Sequence, residues 1–346
     1  MQKIKTALVS YGMSGKVFHA PFLQEHSGYE LVGAWERSKK NIQNDYPDTK
    51  SYNSFEELLN DSVDLVIVNT PVNTHYEYAK KALQAGKHAL VEKAFTATAT
   101  EAEALETLAK QKELKLTVYQ NRRWDSDFKT VKKIVDEGNL GKLIEAEIHF
   151  DRYNPNLSPK AHKETGEPGA GILWDLGSHI IDQAVVLFGY PDAVFADIRK
   201  TRENSKIDDW FDIILYYPDK RVRLKAGFFM REPVHSYILH GTKGSFLKQR
   251  ADVQEDELKE GKKPGSDNWG TEPKEKEGLL HTEIDGEVIK KTIATEQGNY
   301  GELFELLYQS LTTGIKEPVT AEEGVQVMKI IDAAQKSSTL KQVVEL

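Results

Sequence analysis

The segment ILWDLGSHIID, residues 172–182, sets Asp175, His179 and Asp182 among apolar neighbours. At positions i, i+4 and i+7 these three share one face of a helix. His179 has the intrinsic pKa of a base that works near neutral pH, and Asp175, one turn before it, can orient the ring or relay its proton. The same stripe also reads as a closed polar seam, because most histidines on apolar helices are packed and hydrogen-bonded. Glu92 and Lys93 in VEKAF follow an apolar run; on their own they read as a solvated pair. A metal site built on Asp175, His179 and Asp182 would need a further ligand that no other local cluster supplies, so no metal is expected.

The elements that must position these groups fall into two styles. In the first third, compact apolar runs at 4–10, 29–36, 63–70, 87–92 and 114–120 alternate with helical stretches such as HYEYAKKALQAG and TATEAEALETLAKQ. Near-continuous apolar strands separated by helices imply a parallel sheet covered on both faces, a doubly wound α/β architecture. After about residue 122 the period becomes two. In KLIEAEIHF, Ile144, Ala146, Ile148 and Phe150 oppose Glu145, Glu147 and His149; RVRLKAGFF repeats the pattern. Such strands belong to an open, largely antiparallel sheet, and helices at 172–188, 299–313 and 321–337 would cover one face of it. The expected division is 1–122 for a nucleotide-binding domain and 123–346 for a substrate-binding and oligomerisation domain. The charged, Gly- and Pro-rich stretch 254–280 reads as a solvated loop, with a mobile lid or subunit contact as the alternative.

The first strand feeds SYGMSG, in which Ser10, Gly12 and Gly15 occupy the marked positions of a GxGxxG turn, with Met13 and Ser14 between the glycines. Gly12 would admit a pyrophosphate, Gly15 would let helix and strand pack closely, and the following helix would offer its first N–H groups. Ser10 departs from the pattern at the tight turn. The motif gains weight from opening the first strand–helix unit of an alternating half, so a dinucleotide, NAD or NADP, is the expected cofactor. The choice between them should fall in WERSKK: Glu36 would accept from a ribose diol, whereas Arg37, Ser38 and Lys39 would hold a 2′-phosphate. The two signals conflict.

The chain has 346 residues, no cysteine, and 46 basic against 54 acidic residues for a net charge of -8. That balance disfavours nucleic acid and anionic membranes as partners, and disulfides and thiolate chemistry are excluded. No apolar stretch of about 20 residues occurs, and the cytoplasm is the expected location.

In order and spacing, SYGMSG, NTPVNTH, VEKAF, NRRWD and GILWDLGSHIID resemble the Gfo/Idh/MocA family of oxidoreductases, and the resemblance runs on through ILHGTKGS to PVTAEEGVQVMKIIDAAQKSS. GMSGKVFHAPF, NRRWDSDF and HFDRYNP look most like a subgroup of NADP-dependent inositol dehydrogenases. The resemblance implies a Rossmann domain followed by an open-sheet α/β domain, with catalysis at their junction. It implies Lys93, Asp175 and His179 as the catalytic set, and Asn121, Arg122 and Asp182 as substrate contacts. Thr70, Pro71, Asn73 and His75 would line the nicotinamide side, and Glu92 would touch the cofactor ribose. Arg152 and Tyr153, at a strand end, are further candidates for holding a polyol, or an exposed pair; Tyr11 either lies beside the nicotinamide or fills the turn. The implied partner is a small polyol, sugar or carbonyl compound, and the implied assembly a homodimer or homotetramer. A non-catalytic NAD(P)- or sugar-sensing regulator is the alternative. Relatives usually carry Pro after the lysine, commonly behind a cis bond; here residue 94 is Ala. A cis bond before a non-proline residue costs about 2.5–4 kcal/mol, so Lys93–Ala94 is expected to be trans.

Overall fold

The computed structural model describes residues 3–36, 39–159 and 164–346. The chain forms two compact units: 1–121 with 254–269 and 299–325, and 122–253 with 270–298 and 326–346.

The first unit is built on six parallel strands: β1 (Ile4–Leu8), β2 (Tyr29–Trp35), β3 (Lys50–Tyr52), β4 (Leu65–Val68), β5 (His88–Glu92) and β6 (Leu116–Tyr119). Their order is β3-β2-β1-β4-β5-β6. All of β4 and β6 and most of β1 and β5 are buried, as expected where crossover helices cover both faces of a sheet. Helices His75–Gln84 and Ala99–Gln111 are two of these crossovers, and the second is capped by Thr98, whose hydroxyl accepts from Glu101 N. The order reverses between β1 and β4, which opens a crevice at the carboxyl ends of the central strands.

The second unit carries nine strands: β7 (Leu143–His149), β8 (Ala193–Arg199), β9 (Trp210–Tyr216), β10 (Arg221–Gly227), β11 (Tyr237–Gly241), β12 (Gly244–Lys248), β13 (Gly278–Ile284), β14 (Glu287–Ile293) and β15 (Val344–Glu345). The order is β14-β13-β12-β11-β7-β10-β9-β8-β15, and only the β7–β10 pair is parallel. Period two holds for Ala146, Ile148, Val222, Leu224 and Ala226, which are buried, and for Arg221 and Arg223, which face out; His149, expected on the wetter side, is buried with its ring nitrogens on Glu147 and Asp151. Ile144 is exposed, because it precedes Glu145, where pairing with β10 begins. Helices Ser178–Phe188, Gly301–Thr313 and Ala321–Leu340 form where periodicity expects them, but Gly301–Thr313 belongs to the first unit and not, as expected, to the layer over the second sheet. Among the described residues no helix is long and apolar enough to cross a membrane.

The stretch 254–280 corrects the expectation of a solvated loop. It opens with helix Gln254–Lys259, and Trp269 is only 1% exposed. Trp269 meets Phe22 edge-on at 6.3 Å and donates from Nε1 to Gln254 Oε1 at 3.2 Å; the same oxygen accepts from Tyr300 N at 2.7 Å. Gln254, Leu258, Trp269, Glu272 and Leu280 carry this burial, and their irregular spacing among charged neighbours leaves no periodic signal. Trp269→Ala should therefore cost about 3–5 kcal/mol in urea unfolding; a loss below about 1 kcal/mol would return the segment to the periphery.

Candidate active site

At the end of β1 the chain turns through Ser10–Gly15. A Cβ on Gly15 would lie 2.4 Å from Ser10 O and 2.9 Å from Asn69 Nδ2, so close packing alone demands glycine there. At Gly12 the nearest atom to a Cβ would be Ser10 Oγ at 3.6 Å, so the protein leaves that space open. An open cradle over a turn that runs into a helix fits a dinucleotide's pyrophosphate. The helix begins with a π-helical turn, Gly15–His19, and continues as Ala20–Glu25. Met13 is exposed at the tip of the turn. Ser10 is held by a residue the sequence reading missed: Asn69 Oδ1 accepts from Ser10 N at 3.0 Å, and Asn69 Nδ2 donates to Ser10 O at 2.7 Å. The only signal for Asn69 was its place directly after β4.

Glu92 ends β5 and gathers three partners. Its Oε1 accepts from Ser14 Oγ at 2.5 Å and lies 2.9 Å from His19 Nε2, while Oε2 accepts from Lys93 N at 3.2 Å. Burial pushes its pKa up, but the His19 and Ser14 contacts and the Lys93 charge outweigh that and hold the carboxyl below its ordinary value. His19, fully buried against Tyr119 at 4.4 Å between ring centroids, was also missed. Lys93 follows, half-buried, at the carboxyl end of a parallel strand, where such sheets hold ligands.

The Lys93–Ala94 bond is cis, which corrects the expected trans geometry. Tertiary contacts override the local preference: Ala94 and Phe95 are buried, and their carbonyl oxygens lie 2.9 and 3.2 Å from His75 Nδ1. His75 is fully buried, with Nε2 2.7 Å from Thr70 O. Burial pushes the imidazole pKa down against the pull of these carbonyls and of Glu92. The ring thus bolts the 70–75 turn to the segment after Lys93. Thr70 Oγ1 pairs with Thr74 Oγ1 at 2.7 Å, and Pro71 and Asn73 are exposed on that turn. Tyr11 donates to Asp45 Oδ2 at 2.8 Å, an anchorage that, with burial, raises its pKa. Glu36 caps the turn after β2, accepting from Asn41 N at 3.0 Å and Ile42 N at 3.1 Å. Arg37 lies outside the described residues.

In the second unit the polar stripe sits on a helix that opens with a π-helical turn, Leu173–Gly177, and continues as Ser178–Phe188. Its start is pinned to Asp208, whose carbonyl accepts from Ile172 N and whose Oδ2 accepts from Leu173 N, each at 2.9 Å. Gly171 makes this approach possible: its φ is +108°, and a Cβ would fall 2.2 Å from Asp208 Oδ1. Asp175 is half-buried and His179 is buried. Asp182 takes a two-pronged bond from Arg123, Nε to Oδ2 at 2.8 Å and Nη2 to Oδ1 at 2.7 Å. Asn121, buried, opens the turn Asn121–Trp124, and Arg122 Nη1 donates to Asp125 Oδ2 at 3.3 Å. Arg152 and Tyr153 are exposed, Tyr153 beneath the Arg231 guanidinium at 3.8 Å. Among the described residues no group of three or more histidine, aspartate and glutamate side chains could hold a metal ion.

Residues 4–120 match the oxidoreductase family's NAD-binding Rossmann fold, and residues 132–346 its C-terminal alpha/beta domain. The chain belongs to the Gfo/Idh/MocA family. Within it, the chain is 39% identical to a Bacillus subtilis scyllo-inositol 2-dehydrogenase (NADP(+)), over 99% of this chain and 96% of that one. An oxidoreductase of solved structure from Bacteroides fragilis superposes with a TM-score of 0.91 at 44% identity, covering 100% of both chains. A more distant relative, glucose-6-phosphate 3-dehydrogenase of B. subtilis, is 28% identical over 56% of this chain and 59% of its own length. The chain is accordingly an NAD(P)-dependent oxidoreductase.

In the first unit Lys93 is rooted beside the glycine turn, and in the second His179 lies on a helix clamped at its start by Asp208. The clamp gives a measurable pH signature. Burial pushes the Asp208 carboxyl up to about 6 from its ordinary 3.8, with Leu173 N pulling the other way. The folded chain therefore keeps a proton that the unfolded chain has released, so this residue's contribution to stability is intact below about pH 4 and is lost as pH rises to about 6. Asp208→Asn, which can still accept from Leu173 N, should lack this loss and gain about 2 kcal/mol on the wild type between those limits. Parallel stability–pH curves for the two proteins would refute the assignment.

Proposed function

We propose that the chain transfers hydride reversibly between NADP and a secondary alcohol or carbonyl carbon of a ring polyol or sugar. The observation that carries the reading is the grip of Glu92, which fixes the root of Lys93 and the glycine turn with one carboxylate. Oxidising a secondary alcohol requires a proton to leave oxygen as hydride leaves carbon, and the nicotinamide, when bound, supplies the hydride acceptor. The Lys93 ammonium stabilises the developing alkoxide, His179 takes the hydroxyl proton, and Asp175 orients the imidazole or relays that proton. Asn121 and Arg122 are assigned to substrate hydroxyls, with Arg152 and Tyr153 at the outer margin. Asp182 acts through Arg123 and is a positioning residue in this reading, as are Glu92 and His75.

Two observations favour NADP over NAD. Both Glu36 oxygens are already engaged by backbone amides, which leaves the carboxylate less disposed to accept from a ribose diol. The B. subtilis relative matched over nearly the whole chain is named for NADP(+) and for an inositol. Assays of inositols and aldoses with each cofactor, followed by nicotinamide absorbance, should show at least a tenfold preference for NADP in kcat/KM, a factor worth about 1.4 kcal/mol. Equal use of NAD would overturn the cofactor choice.

Lys93→Ala and His179→Asn should each lower kcat by about 10²–10⁴ while leaving the cofactor Kd nearly unchanged. Wild-type turnover in either variant would remove that residue from the mechanism.

A further inference from the structure

Gln183 stands four residues after His179, on the same face of the same helix, and is fully buried. That spacing sets its attachment about 6 Å along the helix axis from that of the imidazole. A buried primary amide has both donors and an acceptor to satisfy, and three elements of the second unit meet them. Nε2 donates to the Arg122 carbonyl at 3.2 Å. Oε1 accepts from Arg250 Nη2 at 3.2 Å and lies 3.1 Å from Tyr237 Oη, whose proton it shares with Asp127 Oδ1 at 3.0 Å. These partners settle which end of the amide is oxygen, because a guanidinium can only donate and a carbonyl can only accept. They also call for an amide. A glutamate would set an oxygen against the Arg122 carbonyl where a donor now stands, and an apolar side chain would leave the carbonyl and the guanidinium unpaired.

Arg122 is held at three points, and only one of these reaches the helix of His179. Its carbonyl also accepts from Asp125 N at 3.3 Å, inside the turn itself. Its side chain gives Nη1 to Asp125 Oδ2 at 3.3 Å and lies over the Phe150 ring, 5.2 Å from the centroid. The tie to the helix is the Gln183 amide. One residue along, Arg123 forks Asp182 at 2.8 and 2.7 Å, so successive helix residues grip successive residues of the turn. The two grips act differently. The fork fixes the end of a long side chain, whereas the bond to the Arg122 carbonyl fixes the main chain from which the Arg122 guanidinium springs.

We infer that Gln183 is a positioning residue of the reaction: it holds the Arg122 main chain at a fixed distance from the helix that carries His179, so that the hydroxyl bound by Arg122 is presented to the base. This rests on the reading above, in which Arg122 binds substrate and His179 takes its proton. Gln183 touches no substrate itself. Its effect on turnover passes through Arg122.

The test is a double-mutant cycle on the full-length protein with NADP and the member of the inositol and aldose panel that the wild type uses best. Gln183→Glu keeps the acceptor that Arg250 and Tyr237 meet and removes the donor to Arg122. It should lower kcat/KM about tenfold or more, through a raised KM, and leave the cofactor Kd in place. Arg122→Ala should lower kcat/KM by a similar factor. Adding Gln183→Glu to Arg122→Ala should then cost no more than about twofold further, because the support has nothing left to place. A residue that only stabilised the core would give losses that multiply, or a loss confined to kcat from a smaller folded fraction. Either result, or wild-type kcat/KM in Gln183→Glu, overturns the inference and leaves the oxidoreductase reading standing. A silent Arg122→Ala overturns it as well, by removing Arg122 from the substrate. Should Gln183→Glu lose its far-UV circular dichroism or its cooperative melting, the neutral Gln183→Met takes its place in the cycle under the same criteria, and failure of that variant to fold makes the residue structural and ends the inference. If the wild type turns over no member of the panel, the broader reading fails and takes this inference with it.

Discussion

Glu92 is the group on which the first unit's site geometry depends. A carboxylate withdrawn from water is stable only if donors replace its hydration, and here Ser14, His19 and the Lys93 amide do so from three directions. Each donor belongs to a different piece of the site: the glycine turn, the π-helical turn after it, and the strand end that carries the ammonium. Loss of the charge would release all three together. Asn69 applies the same logic from β4, with both halves of its amide on the Ser10 main chain. Two neighbouring strands thus hold the turn through side chains. That accounts for serine where glycine is usual: Ser10 does not take a left-handed conformation, and Asn69 supplies the rigidity.

The second unit uses buried charge differently. Buried ion pairs add little net stability against a well-packed apolar core, yet removing one partner is expensive, so their effect is to fix geometry. The fork between Arg123 and Asp182 fixes the turn after β6 against the helix of His179. Asp208 and Asp209 show how far neighbours in sequence can diverge. Asp209 is buried, but its bonds from Thr201 and Arg202 bring its pKa below the ordinary value, whereas Asp208, facing Leu173 N with little cationic support, is pushed up. One aspartate anchors a strand-end loop as an anion; the other holds a helix start and can do so protonated.

Much of this was legible in the sequence because periodicity reports burial directly. The parallel strands, the alternating strands around Ile148 and Leu224, and the three helices follow from which residues avoid water. The short β3 and the burial of Trp269 did not follow, because neither is carried by a repeating pattern. At the site, the glycines and the Lys93, Asp175 and His179 motifs stood out by type and spacing. Asn69, His19, Arg123 and Asp208 did not, because each matters through a partner 50 or more positions away or, for Asp208, through a contact with Leu173 that no local spacing encodes. The cis bond after Lys93 was misjudged for the same reason: local preference was weighed without His75, whose ring meets the carbonyls beyond it.

The stripe that first drew attention is the clearest case of spacing understating structure. On an unbroken α-helix Asp175, His179 and Asp182 would be three equivalent groups on one face. The π-helical turn ending at Gly177 closes its hydrogen bonds one residue later than an α-turn, so Asp175 is displaced from the register that 3.6 residues per turn would assign it. Asp182, at the other end, is closed off by a guanidinium fork. What distinguishes the two carboxylates is therefore not their place in the repeat but what meets each of them: an anchored, widened first turn for Asp175, an arginine for Asp182. The anchor at Gly171 and Asp208 makes that first turn possible, so the relation of Asp175 to the imidazole is set by a glycine and an aspartate that carry no chemistry themselves.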